Sequence, residues 1–139
     1  MIPTIVKVVY EGKSYEVDVQ AELKTSAVNL QESFHDQPGK YAWYAAVHAA
    51  SLLAVDRAQW HLEVVTATTS DRLRRLDDEK GKPLSETAIK AMLPLDGDVK
   101  KAREALIEVQ GQESLVKAVR DAFIHRRDML IQLGYTSRQ

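Results

Sequence analysis

Residues 41–77 contain neither proline nor glycine, and an unbroken run of that length constrains the chain more than any other feature. Its apolar residues recur at helical spacing: Ala42, Ala46, Ala49, Leu53, Trp60, Val64 and Ala67 follow one another by three, four or seven. A long helix with a narrow apolar stripe is the expectation, and the alanines would let another helix come close. The β-branched residues between Val64 and Thr69 lower the local helix preference by a few tenths of a kcal/mol each, which packing overrides. A second such stretch, residues 98–133, presents Val99, Ala102, Leu106, Val109, Val116, Val119, Phe123, Leu130 and Leu133 as its buried face. Gly134 follows as an expected left-handed cap. Gly111, inside the stretch, costs about 1 kcal/mol against alanine and marks an expected weak point or kink. At 1.5 Å per residue each helix would be roughly 54 Å long. Similar lengths joined by a compact linker predict an antiparallel pair.

Shorter elements complete the pattern. Tyr15, Val17 and Val19 alternate with polar residues, and residues 5–10 are rich in β-branched and aromatic side chains, so residues 1–20 read as a β-hairpin. With Gly12 and Lys13 as a two-residue turn, Tyr10 would face Tyr15, Val8 would face Val17, Val6 would face Val19, and Lys7 would face Asp18. Thr25 or Ser26 can cap a short helix over residues 25–35, ended by Gln37-Pro38-Gly39. After a charged loop containing Gly81, Ser85 caps a second short helix over residues 85–93, ended by Pro94. The fold class expected is mainly α with an α+β element: two long antiparallel helices, short connecting helices and an N-terminal β-hairpin in a single domain, residues 1–139. Two helices enclose little volume, so apolar surface should stay exposed and the chain is expected to form a homo-oligomeric helical bundle.

Composition narrows the function. There is no cysteine, which excludes disulfides, thiolate metal sites and cysteine nucleophiles. His35, His48, His61 and His125 are scattered without metal-ligand spacing, Gly81-Lys82 lacks the rest of a phosphate-binding loop, and no serine lies in a nucleophile-elbow context. The expectation is therefore no enzyme, no cofactor and no metal. No stretch approaches the roughly 20 apolar residues of a membrane span, and residues 1–10 do not read as a signal peptide, so a cytoplasmic protein is expected. Lys and Arg number 19 against 20 Asp and Glu, a balance that by itself nominates no nucleic acid.

The placement of the charges says more than their total. Arg72, Arg74, Arg75, Lys80, Lys82, Lys90, Lys100, Lys101 and Arg103 all fall at the linker end of the helical pair, among Asp71, Asp77, Asp78, Glu79, Glu86, Asp96, Asp98 and Glu104. One reading is a solvated tip laced with surface ion pairs. The other is a phosphate-tracking patch repeated by oligomerisation. Tyr41, Trp43 and Tyr44 beside Lys40 could stack on the bases of a single strand, or could cover the apolar face of the hairpin. Arg126-Arg127-Asp128 reads as a polar helix face, with Arg126 placed to pair across an oligomer interface.

The order of features from Pro38 onwards resembles that of the UvsY-like recombination mediators of phages. The resemblance is carried by Pro38 with Tyr41-Ala42-Trp43-Tyr44, by Leu62-Glu63-Val64-Val65 leading to Arg72, and by Gly81-Lys82-Pro83. It continues through Glu86 to Ile89-Lys90, the helix from Val99, and the closing Phe123, Leu130 and Leu133-Gly134. It covers about two-thirds of the chain and leaves out the hairpin. It implies an oligomeric ring that binds single-stranded DNA and helps load a RecA-like recombinase onto DNA coated by single-strand binding protein. Family members carry basic residues late in the first long helix, at positions matching Arg72, Arg74 and Arg75 here. Two other classes stay open: a protein-interaction module, such as a nuclease inhibitor or anti-defence protein, and a scaffolding oligomer.

Overall fold

A computed structural model describes residues 5–23 and 30–137, with side chains for 5–23 and 35–134. Strands β1 (Ile5–Tyr10) and β2 (Lys13–Asp18) precede a short helix α1 (Val19–Leu23), a long helix α2 (Leu30–Arg74), a short helix α3 (Glu86–Met92) with a 3₁₀ turn (Leu93–Leu95), and a second long helix α4 (Gly97–Ser137). The mainly helical class with an N-terminal hairpin is as expected. The chain falls into two compact units, Met1–Leu53 with Gly111–Gln139, and Ala54–Gln110.

The hairpin forms, in a register two residues from the expected one. Its turn is Glu11-Gly12, both at positive φ (51° and 75°), the geometry of a type I′ turn that matches strand twist. Val8 therefore faces Tyr15, Val6 faces Val17, Lys7 faces Glu16 and Tyr10 faces Lys13. A two-residue shift keeps every side chain on its own face, so the apolar side survives the correction. Val8 and Val17 are buried with Tyr44, Val47, Val116, Val119 and Phe123 in one core, and Val6, Tyr10, Val19, Leu23 and Trp43 pack around it. Each such large side chain contributes about 1.5–3 kcal/mol when fully buried. Pairing stops at Asp18, whose carboxylate accepts from the Ala21 amide at 3.4 Å and starts α1 at Val19.

The expected short helix over residues 25–35 and the break at Pro38-Gly39 are replaced by one helix from Leu30 to Arg74. Thr25 and Ser26 lie outside the described residues. Continuity is secured next to the proline. Buried Gln37 donates through Nε2 to the Phe123 carbonyl at 2.7 Å, and its Oε1 accepts from Arg126 Nη1 at 2.7 Å. Arg126 Nη2 also reaches Asp36 Oδ1 at 3.0 Å. Arg126 is thus buried inside its own chain at 3% exposure, so of the expected polar face only Arg127 and Asp128 stand exposed. Tyr44 stacks on Phe123 at 5.0 Å. Since Gln37 reaches Phe123 while His48 reaches Glu113, α2 and α4 run antiparallel in this unit.

The buried face of α4 is the expected one: Val99, Ala102, Leu106, Val116, Val119, Phe123 and Leu130 are buried, Val109 and Leu133 half-buried. The buried face of α2 is not. Ala42, Ala46, Ala49, Leu53, Trp60, Val64 and Ala67 are all exposed. In the first unit, α2 turns inward Tyr44, Val47, His48 and, half-buried, Ser51. In the second, Ala58, Leu62, Val65 and Thr66 are half-buried and Thr69 and Leu73 buried. These residues also recur at helical spacing, but they include His48, Ser51, Thr66 and Thr69 and so are more polar than the outward stripe. Where the inner face is polar it is paired. His48 Nδ1 lies 3.0 Å from Arg120 Nη1, and His48 Nε2 lies 2.7 Å from Glu113 Oε1. A guanidinium only donates, so Nδ1 is the acceptor and the ring hydrogen sits on Nε2, directed at Glu113.

The helix ends differ from expectation by a few residues. α2 stops at Arg74 instead of residue 77, and α4 runs without interruption through Gly111 and past Gly134 to Ser137, so neither glycine breaks or caps it. Ser85 caps α3 as expected, its hydroxyl accepting from the Ala88 amide at 3.1 Å. Among the described residues no helix is long and apolar enough to cross a membrane.

Candidate nucleic-acid interface

All nine cations singled out from the sequence, Arg72 to Arg103, lie in the second unit, on the end of α2, the following loop, α3 and the start of α4. The loop is ordered by its own backbone. The Asp78 amide donates to the Lys82 carbonyl at 2.6 Å, the Gly81 amide to the Asp78 carbonyl at 3.0 Å, and the Leu84 amide to the Leu76 carbonyl at 3.4 Å. Gly81 turns the chain at φ +74°, a conformation glycine adopts without strain. Asp78 Oδ1 accepts from the Lys80 and Lys82 amides, both at 2.9 Å. One carboxylate oxygen thereby holds the backbone of both lysines, whose side chains stand exposed.

Two of the three arginines at the end of α2 are engaged by carboxylates. Arg72 Nη2 meets Asp96 Oδ1 at 2.6 Å, and Arg74 reaches Glu86 at 3.3 Å and Asp71 at 3.8 Å. Asp96 is also the cap of α4, its Oδ2 accepting from the Asp98 and Val99 amides at 3.0 and 3.2 Å. The Val99 amide, then the Arg72 guanidinium and the Asp98 amide, hold the Asp96 carboxyl below its ordinary range against the opposing effect of burial. Arg72 and Arg74 tie the end of α2 to the start of α4 and to α3. Both pairs are solvent-exposed on the arginine side, so each contributes little to stability.

Arg75, Lys80, Lys82, Lys90, Lys100, Lys101 and Arg103 are exposed, and among the described residues no ion pair involves any of them. Lys100, Lys101 and Arg103 occupy the first two turns of α4, where the helix dipole gives positive charge no support. A groove of about 590 Å³ in the same unit is lined by Thr66, Ser70, Arg74 and Arg103, with Glu63 and Asp71 beside them. Its mixed charge suits a backbone with spaced phosphates less well than the open lysine loop does. Sequence reading missed the pivotal role of Asp96, although an Asp-Gly-Asp before an apolar-periodic run is a capping signal.

The aromatic candidates lie in the first unit and are mostly committed. Trp43 makes edge-to-face contacts with Tyr10, Tyr15 and Tyr44, centroids 6.1, 5.7 and 4.8 Å apart. Tyr44 is 2% exposed, and burial together with the Glu22 charge pushes its phenol well above the ordinary value. Tyr44 therefore has no free face for a base; the ring covers the hairpin instead. Tyr41, 37% exposed, keeps part of its ring open.

Among the described residues no three His, Asp or Glu side chains converge as metal ligands. No protein-family model, curated protein or solved structure matches the chain.

Proposed function

We propose that the chain is a non-catalytic, single-stranded DNA-binding recombination mediator that assembles with copies of itself and helps load a RecA-like recombinase onto strands coated by single-strand binding protein. The observation that supports it is the set of seven exposed cations, from Arg75 to Arg103, without an ion pair among the described residues, two of them on a loop stiffened by its own hydrogen bonds. The resemblance of the helical segments to phage mediators supplies the biological context. A near-neutral tip binds DNA weakly by itself, and repetition in an oligomer multiplies the contacts.

Exposed apolar residues on α2 support assembly in both units: Ala42, Ala46, Ala49 and Leu53 in one, Trp60, Val64 and Ala67 in the other. Trp60, at 67% exposure, is the kind of large aromatic that anchors protein contacts.

Binding of a fluorescent oligothymidylate across a salt series tests the reading. Affinity should fall with salt at about 0.7 in log–log slope for each phosphate neutralised. Replacing Arg75, Lys80 and Lys82 together by alanine should weaken binding more than tenfold at low salt and flatten that slope. Arg72 and Arg74, engaged by carboxylates, should contribute less. Absence of binding at low salt, or a triple variant that binds like the parent, overturns the reading. Native mass spectrometry with and without the oligonucleotide reports assembly at the same time, and a persistent monomer argues against multivalent binding.

A further inference from the structure

In the first unit, well away in sequence from the basic loop, α2 and α4 leave an apolar slot of about 410 Å³ between them. That lies within the range of ligand-binding pockets, which are mostly apolar with a few placed polar groups. Phe123 and Leu130, both fully buried, form its floor; Pro38, Tyr41 and Ile131 form its walls. The slot follows from the uninterrupted passage of α2 through Pro38-Gly39, where a short ring and then no side chain face solvent.

Its polar inventory is small and one-sided. Gln37 lines the slot, but both ends of its amide are used, one on the Phe123 carbonyl and one on Arg126. Beside it stand the neutral Tyr41 phenol and, as the slot's one charged group, the Arg127 guanidinium, 61% exposed, whose partner is its sequence neighbour Asp128 at 3.4 Å. Such an exposed adjacent pair is weak and readily exchanged. A guanidinium beside an apolar slot selects a ligand that joins an apolar group to a carboxylate, which it can hold through two parallel hydrogen bonds.

We propose that this slot is a docking site for a short acidic-apolar segment of a partner polypeptide, a leucine or phenylalanine anchor filling it and an adjacent carboxylate meeting Arg127. A buried apolar anchor surrounded by a polar rim is how most of the energy of such contacts is concentrated. None of its residues belongs to the basic loop, and Tyr41 alone is shared with the aromatic candidates.

Fluorescence polarisation with a labelled Gly-Ser-Asp-Leu-Phe peptide bearing a free terminal carboxylate tests this on the full chain. Saturable binding is expected. It should weaken at least about fivefold for the peptide in which the aspartate becomes asparagine and the terminus an amide. Arg127→Gln should remove that discrimination between charged and neutral peptides, and Ile131→Asp, at a half-exposed wall position, should abolish binding; circular dichroism shows that each variant is folded. No saturable binding of the charged peptide overturns the proposal. So does an Arg127→Gln variant that still prefers it, or an Ile131→Asp variant that binds as the parent does. Displacement of the peptide by free octanoate at equal or lower concentration would reassign the slot to a small carboxylate ligand and overturn the polypeptide assignment.

Discussion

Replacing Arg126 by methionine keeps most of the side chain's length and apolar contact while deleting the bonds that hold α2 together at Pro38. Within a helix, proline costs about 3 kcal/mol and glycine about 1 kcal/mol against alanine, so Pro38-Gly39 opposes continuity by about 4 kcal/mol. The neighbouring contacts oppose that penalty. One neutral buried hydrogen bond, Gln37 to the Phe123 carbonyl, contributes about 1 kcal/mol, and the two charge-assisted bonds from Arg126, to Gln37 and Asp36, about 1.5–3 kcal/mol each. Together they offset the penalty with little to spare. Arg126→Met should therefore cost about 3–5 kcal/mol in urea unfolding and release hydrogen-exchange protection in residues 30–40, while residues 54–74 keep theirs. Pro38→Ala should stabilise the chain by up to about 3 kcal/mol, and in that background Arg126→Met should no longer release residues 30–40. If Arg126→Met leaves protection of those residues unchanged, or Pro38→Ala does not rescue it, the helix is held across the proline by something else.

Three other outcomes follow from the same structure. His48→Leu should destabilise by about 1–3 kcal/mol because Glu113 and Arg120 lose a partner at a largely buried position, and Arg120→Met added to it should cost less than either change alone; a double-mutant cycle in urea measures that coupling. Asp96 has a lowered carboxyl pKa in the fold, so what it contributes is complete above its ordinary value of 3.8 and is lost as pH falls below that towards the lowered value; Asp96→Asn should flatten the acid limb of the stability profile in that window and leave its neutral limb parallel to the parent's. Gly81→Ala meets no atom within 4 Å and pays only for its positive φ, roughly 1 kcal/mol, so thermal unfolding should shift by a few degrees while oligonucleotide affinity falls through loosening of the lysine loop.

Much of the architecture could be read from spacing, and the failures share one cause. The buried face of α4 was legible because Val99 through Leu133 recur as one continuous stripe, whereas Ile107, Leu115, Met129 and Ile131 stand exposed off it. On α2 two stripes run at the same period, and the inward one contains Ser51, Thr69 and His48, the last of which is fit for burial through Glu113 and Arg120, 65 and 72 residues away. Periodicity ranks stripes by greasiness and so selects the exposed one. The same blindness to distant partners explains Pro38: a local breaker rule holds until Gln37 and Arg126 override it. For the hairpin, alternation fixes faces but not register, because shifts by two are invisible to it; the positive φ of Glu11 and Gly12 settled the turn. For the candidate interface, sequence located the cations, yet which of them are engaged depended on carboxylates brought close by folding, Asp96 to Arg72 and Glu86 to Arg74.

The His48 contacts have a consequence for alignment. Two helices that meet mainly through apolar side chains can slide along each other by a heptad and still bury much of the same kind of surface. Here such a slip would strand a carboxylate and a guanidinium opposite aliphatic neighbours, with the imidazole facing neither. The trio acts as an alignment pin, a polar mark on an apolar seam, which favours a single overlap of the two segments over its neighbours.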